Sequence, residues 1–171
     1  MEKKVTSNVT KGLIIALILI VLNLVLYFVG QSQNKPLGIL ISAIFVGGII
    51  WSCISYAKDL EGNVTFGNTF AHGFKVAATV TALYLVYTFL ALKFITPGII
   101  DLAIEEAKKG MEEKKNLTTE QVDSALEMMR KYFVPFAIGG ALLAYLVLGL
   151  ISAAIGAAVA KKNPVQASPF Q

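Results

Sequence analysis

Charged residues are scarce in this sequence. Of its 171 residues, only 15% are charged and 56% are hydrophobic, whereas a soluble domain usually carries charge at about a quarter of its positions. A surface that faces water cannot be built from so few polar side chains. The composition therefore excludes an ordinary soluble domain and predicts a single membrane domain over residues 1–171.

Catalytic and metal-binding patterns are missing as well. The sequence contains no G-x-S-x-G, H-E-x-x-H, P-loop or glycine-rich dinucleotide motif. Its one cysteine, Cys53, lies in an apolar run and is expected to be a packing residue, and a lone histidine, His72, cannot form a metal site by itself. The basic residues are scattered beside apolar segments, unlike a nucleic-acid surface. We therefore expect a protein that is not an enzyme, with no cofactor, no bound metal and no nucleic-acid partner.

What the sequence does contain is four long runs without charge, at residues 12–29, 37–57, 76–92 and 133–160. Crossing the hydrocarbon core takes about 20 helical residues, and solid apolar blocks are unlike the alternating strands of a barrel. The runs predict an all-α integral membrane protein with four transmembrane helices at about 12–29, 37–57, 76–96 and 134–160. The first run is longer than a signal-peptide core, so we expect the helix to be retained.

The segment between the third and fourth runs, residues 98–132, is the only sizeable extramembrane part. It predicts two amphipathic helices, separated at residues 114–117, with Thr118 and Gln121 as a capping box at the start of the second. The apolar stripes are Ile100, Ile104, Ala107 and Met111 in the first helix and Val122, Leu126, Met129 and Phe133 in the second. The stripes could lie on the bilayer, pack against each other or face a partner, for which Val122, Leu126 and Met129 are the candidate surface.

Small residues recur at every fourth position of the last run. Small side chains let transmembrane helices approach closely, so these residues predict helix-packing faces. The expected contacts are within one chain, and a homodimer seam is the alternative. One face carries Gly149, Ala153 and Ala157, and its neighbour carries Ser152, Gly156 and Ala160.

Ionisable residues are absent from the four runs, although proton- and ion-coupled transporters commonly place them within the bilayer. We therefore predict a non-enzymatic association or accessory protein. Its expected partners are the lipid bilayer and either further copies of itself or an unidentified membrane protein. The alternative is an oligomeric small-solute permease or channel, whose polar path would need Asn23 and the serines of the second run, Ser42, Ser52 and Ser55. An enzyme acting on lipid is a weaker third hypothesis.

Orientation follows from the lysines. Lys3, Lys4 and Lys11 directly precede the first run, and basic residues close to a span favour the cytoplasmic side. We expect a multi-pass protein of the inner (cytoplasmic) membrane with both termini in the cytoplasm.

A distinctive segment, residues 65–75, leads into the third run. Phe66, Phe70 and Phe74 fall on one helical face, as in aromatic membrane anchors. His72 lies on another face and is expected to be an interfacial polar residue, with pH sensing as the alternative. Together with residues 127–131, 149–155 and the following lysine pair, this segment resembles a family of bacterial membrane proteins, mainly from Bacteroidota, catalogued as domain of unknown function 4199. The resemblance implies four helices and an inner-membrane location, and it implies no activity or site residue.

Overall fold

The protein is described here by a computed structural model, which describes residues 7–32, 34–112 and 118–163. Within these residues all regular secondary structure is helical. Four of the helices are long and apolar enough to span a membrane, which confirms the predicted all-α class with four spans. The helices are α1 (Asn8–Phe28), α2 (Lys35–Asp59), α3 (Phe66–Leu90, continued by a π-helical turn, Ala91–Ile95), α4 (Gly98–Glu112) and α5 (Thr119–Val159); α4 is the one that does not qualify as a span.

The helices extend beyond the charge-free runs because capping and turn residues set their ends. Helix α1 begins at Asn8, where the hydroxyl of Ser7 accepts a hydrogen bond from the Val9 amide. Helix α2 continues to Asp59, and the turn after it contains the left-handed residues Glu61 and Gly62. Helix α3 begins at residue 66, well before the expected span at 76–96. Lys11, Asp59 and His72, which lie outside the charge-free runs, are therefore parts of helices.

Helix α5 joins two elements that the sequence separates. It runs without a break from Thr119 to Val159 and passes through Pro135, whereas we expected an amphipathic helix followed by a span at 134–160. Neighbouring groups can compensate for the backbone hydrogen bond that a proline removes in a membrane helix. The capping box is confirmed, since the Thr118 amide donates to Gln121 Oε1 at 3.0 Å and the Gln121 amide donates to Thr118 Oγ1 at 3.4 Å. The predicted break at 114–117 lies outside the described residues.

The chain divides into two compact units. The bundle unit comprises residues 1–84 and 144–171 and contains α1, α2, most of α3 and the end of α5. Its apolar core includes Leu19, Phe45, Ile49 and Val80, all fully buried. Tyr145 extends this core, because its ring makes edge contacts with Phe45 and Tyr84 at centroid distances of 4.9 and 5.2 Å.

The connecting unit comprises residues 85–143 and contains α4 and the beginning of α5. Arg130 on α5 forms an ion pair with Asp101 on α4, with 2.9 Å between Nη2 and Oδ1. On the surface of α4, Lys109 donates a hydrogen bond to Glu105 and thereby lowers the pKa of that carboxyl group, while Glu105 raises the pKa of Lys109. Ile104 and Val122 are the buried apolar side chains of these two helix segments.

Candidate functional site in the bundle unit

Polar side chains line one face of α2 near its C-terminal end. Ser52, Ser55, Tyr56 and Asp59 are spaced three, one and three residues apart, so they lie above one another on a helix with 3.6 residues per turn. Ser52 is fully buried, and the other three are partly buried. This face receives one ionisable side chain from α1 and one from α3, and we call the resulting group the polar cluster.

Lys11 of α1 is the first ionisable side chain that packs against this face of α2. Only 2% of the residue is exposed, yet its ammonium group has two partners on α2: Ser55 Oγ at 3.0 Å and Asp59 Oδ2 at 3.5 Å. The ring of Trp51 lies 6.0 Å from Nζ, at the limit of a cation–π contact. A buried ammonium group is costly unless it is paired and hydrogen-bonded, so these contacts fix α1 against α2.

His72 of α3 is the second. Its Nε2 shares a hydrogen bond of 3.1 Å with Ser52 Oγ, and the residue is 6% exposed. The ring of Tyr56 stacks on the imidazole, with the centroids 4.2 Å apart and the planes inclined by 12°. His72 therefore contacts α2 inside the bundle unit. Its position at the depth of the membrane interface stays a prediction. Through Lys11 and His72, α2 is joined by polar contacts to α1 and α3.

Small residues make close contacts beside the polar cluster. A side chain at Gly156 would approach Cys53 Cβ and Sγ at 2.8 Å, and one at Gly149 would approach Ala77 Cβ at 2.8 Å. Gly73 on α3 faces both Cys53 and Ala153. All the residues predicted as packing faces of the last run are buried: Gly149, Ser152, Ala153, Gly156, Ala157 and Ala160. Within the bundle unit, α2, α3 and α5 thus meet at backbone distance around Cys53.

The proposed partner stripe of the connecting unit is already partly covered. Val122 is 6% exposed, and Leu126 and Met129 are half-buried. Beside this stripe, over residues 128–136, a neighbouring face of α5 carries exposed apolar side chains, and we call it the apolar face: Met128 (61% exposed), Tyr132 (44%) and Phe136 (76%).

The polar residues considered for a transport path have separate surroundings. Ser52 and Ser55 belong to the polar cluster, whereas the Ser42 hydroxyl donates to the Gly38 carbonyl of its own helix at 3.1 Å. Asn23 on α1 is half-buried and also has an interaction partner. In residues 7–32, 34–112 and 118–163, no three His, Cys, Asp or Glu side chains come together in a way that could hold a metal ion.

The sequence alone does not predict the polar cluster, because Lys11 and Asp59 lie just outside the charge-free runs, where charges that flank a span are expected. The sequence does contain one pattern from which the cluster could have been predicted. The polar residues of α2 recur with helical spacing as far as Asp59, which indicates a helix with a buried polar face that continues past residue 57.

Four apolar spans, close helix contacts through small residues and an ion pair within the bundle define a multi-pass α-helical membrane protein. The family model described as protein of unknown function (DUF4199) matches residues 10–162, so the chain belongs to that family. No curated protein and no solved structure matches the chain.

Proposed function

We propose that this protein is a non-enzymatic accessory protein of the bacterial inner membrane, and that it binds another integral membrane protein through the apolar face of α5. The observation that carries the proposal is the exposure of Met128, Tyr132 and Phe136 at successive positions four residues apart. Aromatic residues and methionine are enriched at protein interfaces. The proposal thus moves the partner surface from the stripe at Val122 to the neighbouring face of the same helix.

The charged neighbours of the apolar face favour protein over lipid as its cover. Glu127, Arg130 and Lys131 are exposed on the same stretch of α5, and charged side chains are costly in the hydrocarbon core. Met128 is therefore expected at or outside the headgroup region, where acyl chains do not cover it. A surface hollow of about 580 Å³ beside it, lined by Ala125, Met129 and Phe133 among others, could accept a side chain from a partner.

The bundle unit supports association over catalysis or transport. The ionisable side chains of the polar cluster are engaged with one another or with serines, Lys11 with Ser55 and Asp59, and His72 with Ser52. Such polar contacts hold membrane helices together. The close approach of backbones around Gly73 and Gly156 leaves little room there for a solute path.

Photo-crosslinking in intact membranes tests the partner surface. With p-benzoylphenylalanine in place of Met128, we expect a discrete protein adduct, because the photoreactive ring would be inserted into the partner interface. The control is the same substitution at Leu17 of α1, an apolar side chain of similar exposure (58%), which should give no protein adduct. Failure of position 128 to give an adduct beyond that control would contradict the proposal, and an adduct of two copies of this chain would replace the partner protein by self-association.

Thiol labelling tests the orientation. We expect Asn63→Cys, in the turn after α2, to react with a membrane-impermeant maleimide only after the cells are permeabilised, because lysines surround this turn. Ser32→Cys, in the turn before α2, should react in intact cells. Both positions are exposed, and the native Cys53 is buried and should stay unlabelled. The reverse pattern would place the termini outside the cytoplasm.

A further inference from the structure

A cavity of about 390 Å³ lies in the bundle unit beside the turn that follows α2. The residues that line it include Lys58, Lys161 and Glu61, together with the apolar Ile54 and Ala57. Ile54 is 43% exposed and Ala57 is buried, so the apolar part reaches from the core to the surface. The cavity therefore lies among two basic residues, one acidic residue and an apolar surface.

The wall of this cavity is fixed by backbone contacts. The amide of Asn163, beyond the end of α5, donates to the Gly62 carbonyl at 3.0 Å, and its side-chain amide donates to the Glu61 carbonyl. Gly62 has φ +82°, and a Cβ there would lie 2.9 Å from the Asn163 side chain. Glycine is therefore favoured at position 62. The contacts of Asn163 hold the residues after α5 against this turn, next to the cavity that both Glu61 and Lys161 line.

The two lysines are available to a ligand. Both are exposed, and among the described residues no ion pair joins either of them to a carboxylate, that of Glu61 included. Their neighbour Lys162 differs, since its ammonium group donates to the Ala157 carbonyl at 2.6 Å and lies 5.6 Å from the ring of Phe66.

The surroundings place the cavity at headgroup depth. Phe66 is 48% exposed and stacks on Phe70 with 6.1 Å between centroids, and Phe70 stacks on Phe74 at 6.4 Å. Aromatic rows next to lysines are typical of the membrane–water interface. Basic pockets between transmembrane helices bind lipid headgroups.

We propose that this cavity binds a phospholipid with a primary-amine headgroup, of the phosphatidylethanolamine type. The ammonium groups of Lys58 and Lys161 would donate to its phosphate, and the carboxylate of Glu61 would accept hydrogen bonds from its amine. The acyl chains would leave along Ile54 toward the hydrocarbon core. A headgroup with a phosphate but no amine would leave the Glu61 carboxylate next to an anion. A quaternary amine has no N–H and could not donate a hydrogen bond to Glu61. The charge pattern thus selects one headgroup class.

Native mass spectrometry of the full chain in mild detergent tests this proposal. The probe is an equimolar mixture of phosphatidylethanolamine, phosphatidylglycerol and phosphatidylcholine with identical acyl chains. We expect the ethanolamine lipid to be retained preferentially. The double substitution Lys58→Gln/Lys161→Gln should lower its retention about tenfold, as the loss of a charge-assisted hydrogen bond does, and arginine at both positions should preserve it. Glu61→Gln should abolish the preference for the ethanolamine lipid over the glycerol lipid.

The matched control, Lys35→Gln/Lys93→Gln, removes the same charge at two exposed lysines that do not line the cavity and should behave as the native chain. Equal retention of the three lipids by the native protein would overturn the proposal. So would unchanged retention in the Lys58→Gln/Lys161→Gln variant. A preference for phosphatidylglycerol that Glu61→Gln leaves unaltered would also overturn it, because Glu61 would then not contact the headgroup. Glu61→Gln keeps the test decisive should the double variant fold poorly.

Discussion

Replacement of Asp59 by alanine is expected to lower the free energy of unfolding by about 3 kcal/mol, because it leaves a buried ammonium group without its counter-charge. Lys11 is 2% exposed, and Ser55 would be its remaining hydrogen-bond partner among those described. The reverse change, Lys11→Met, should cost about 1 kcal/mol or less, since the Asp59 side chain is 29% exposed and can be hydrated. Removal of Asp59 should therefore destabilise the protein more than removal of its partner Lys11.

The double variant Lys11→Met/Asp59→Ala distinguishes the cost of an unpaired charge from the cost of losing both side chains. It should be more stable than Asp59→Ala alone, because the unpaired charge is gone. Unfolding in detergent can be followed by circular dichroism and by the fluorescence of Trp51, the only tryptophan of the chain, which lies beside Lys11. Lys109→Met is the control, since it removes a lysine from an exposed ion pair on α4 and should leave stability unchanged. Equal losses for Asp59→Ala and Lys11→Met would mean that burial of Lys11 does not govern the pair.

The four spans could be predicted from the sequence because each depends on a long apolar block, a property of neighbouring residues alone. The ends of the helices could be predicted less accurately than the spans. Lys11, Asp59 and His72 look like flanking residues in the sequence, and only the contacts between α1, α2 and α3 show that they have buried partners. Helix ends depend on capping residues and turns, such as those at Ser7 and Gly62, and not on the last apolar residue of a run.

The apolar face of α5 illustrates a second limit. Val122, Leu126 and Met129 recur with helical spacing, but so do Met128, Tyr132 and Phe136. Periodicity shows that a helix has apolar stripes, and tertiary packing decides which of them is covered. Likewise, Pro135 suggests a helix boundary by the rules for soluble proteins, whereas α5 continues through it.

Replacement of Gly73 by alanine is expected to lower the free energy of unfolding by about 2 kcal/mol, as overpacking of a filled interior does. The added methyl group would collide with Cys53 Sγ and lie 3.1 Å from Ala153 Cβ, where α2, α3 and α5 meet. A second substitution, Cys53→Ala, removes the colliding sulfur atom. The pair Gly73→Ala/Cys53→Ala should therefore recover most of the loss, with a coupling energy of about 1–2 kcal/mol in a double-mutant cycle.

Gly47→Ala on α2 is the matched control, because its added methyl group would meet no atom within 4 Å apart from its chain neighbours and the backbone of its own helix. Its stability should be unchanged or higher by up to about 1 kcal/mol, since alanine loses less backbone entropy than glycine in a helix. Strictly additive effects of Gly73→Ala and Cys53→Ala would show that the sulfur is not what limits space at this position. Coupling between them would establish that Cys53 is a packing residue whose size matches the glycines that face it, Gly73 and Gly156. Packing alone would then account for this buried cysteine, and no thiol chemistry would be needed.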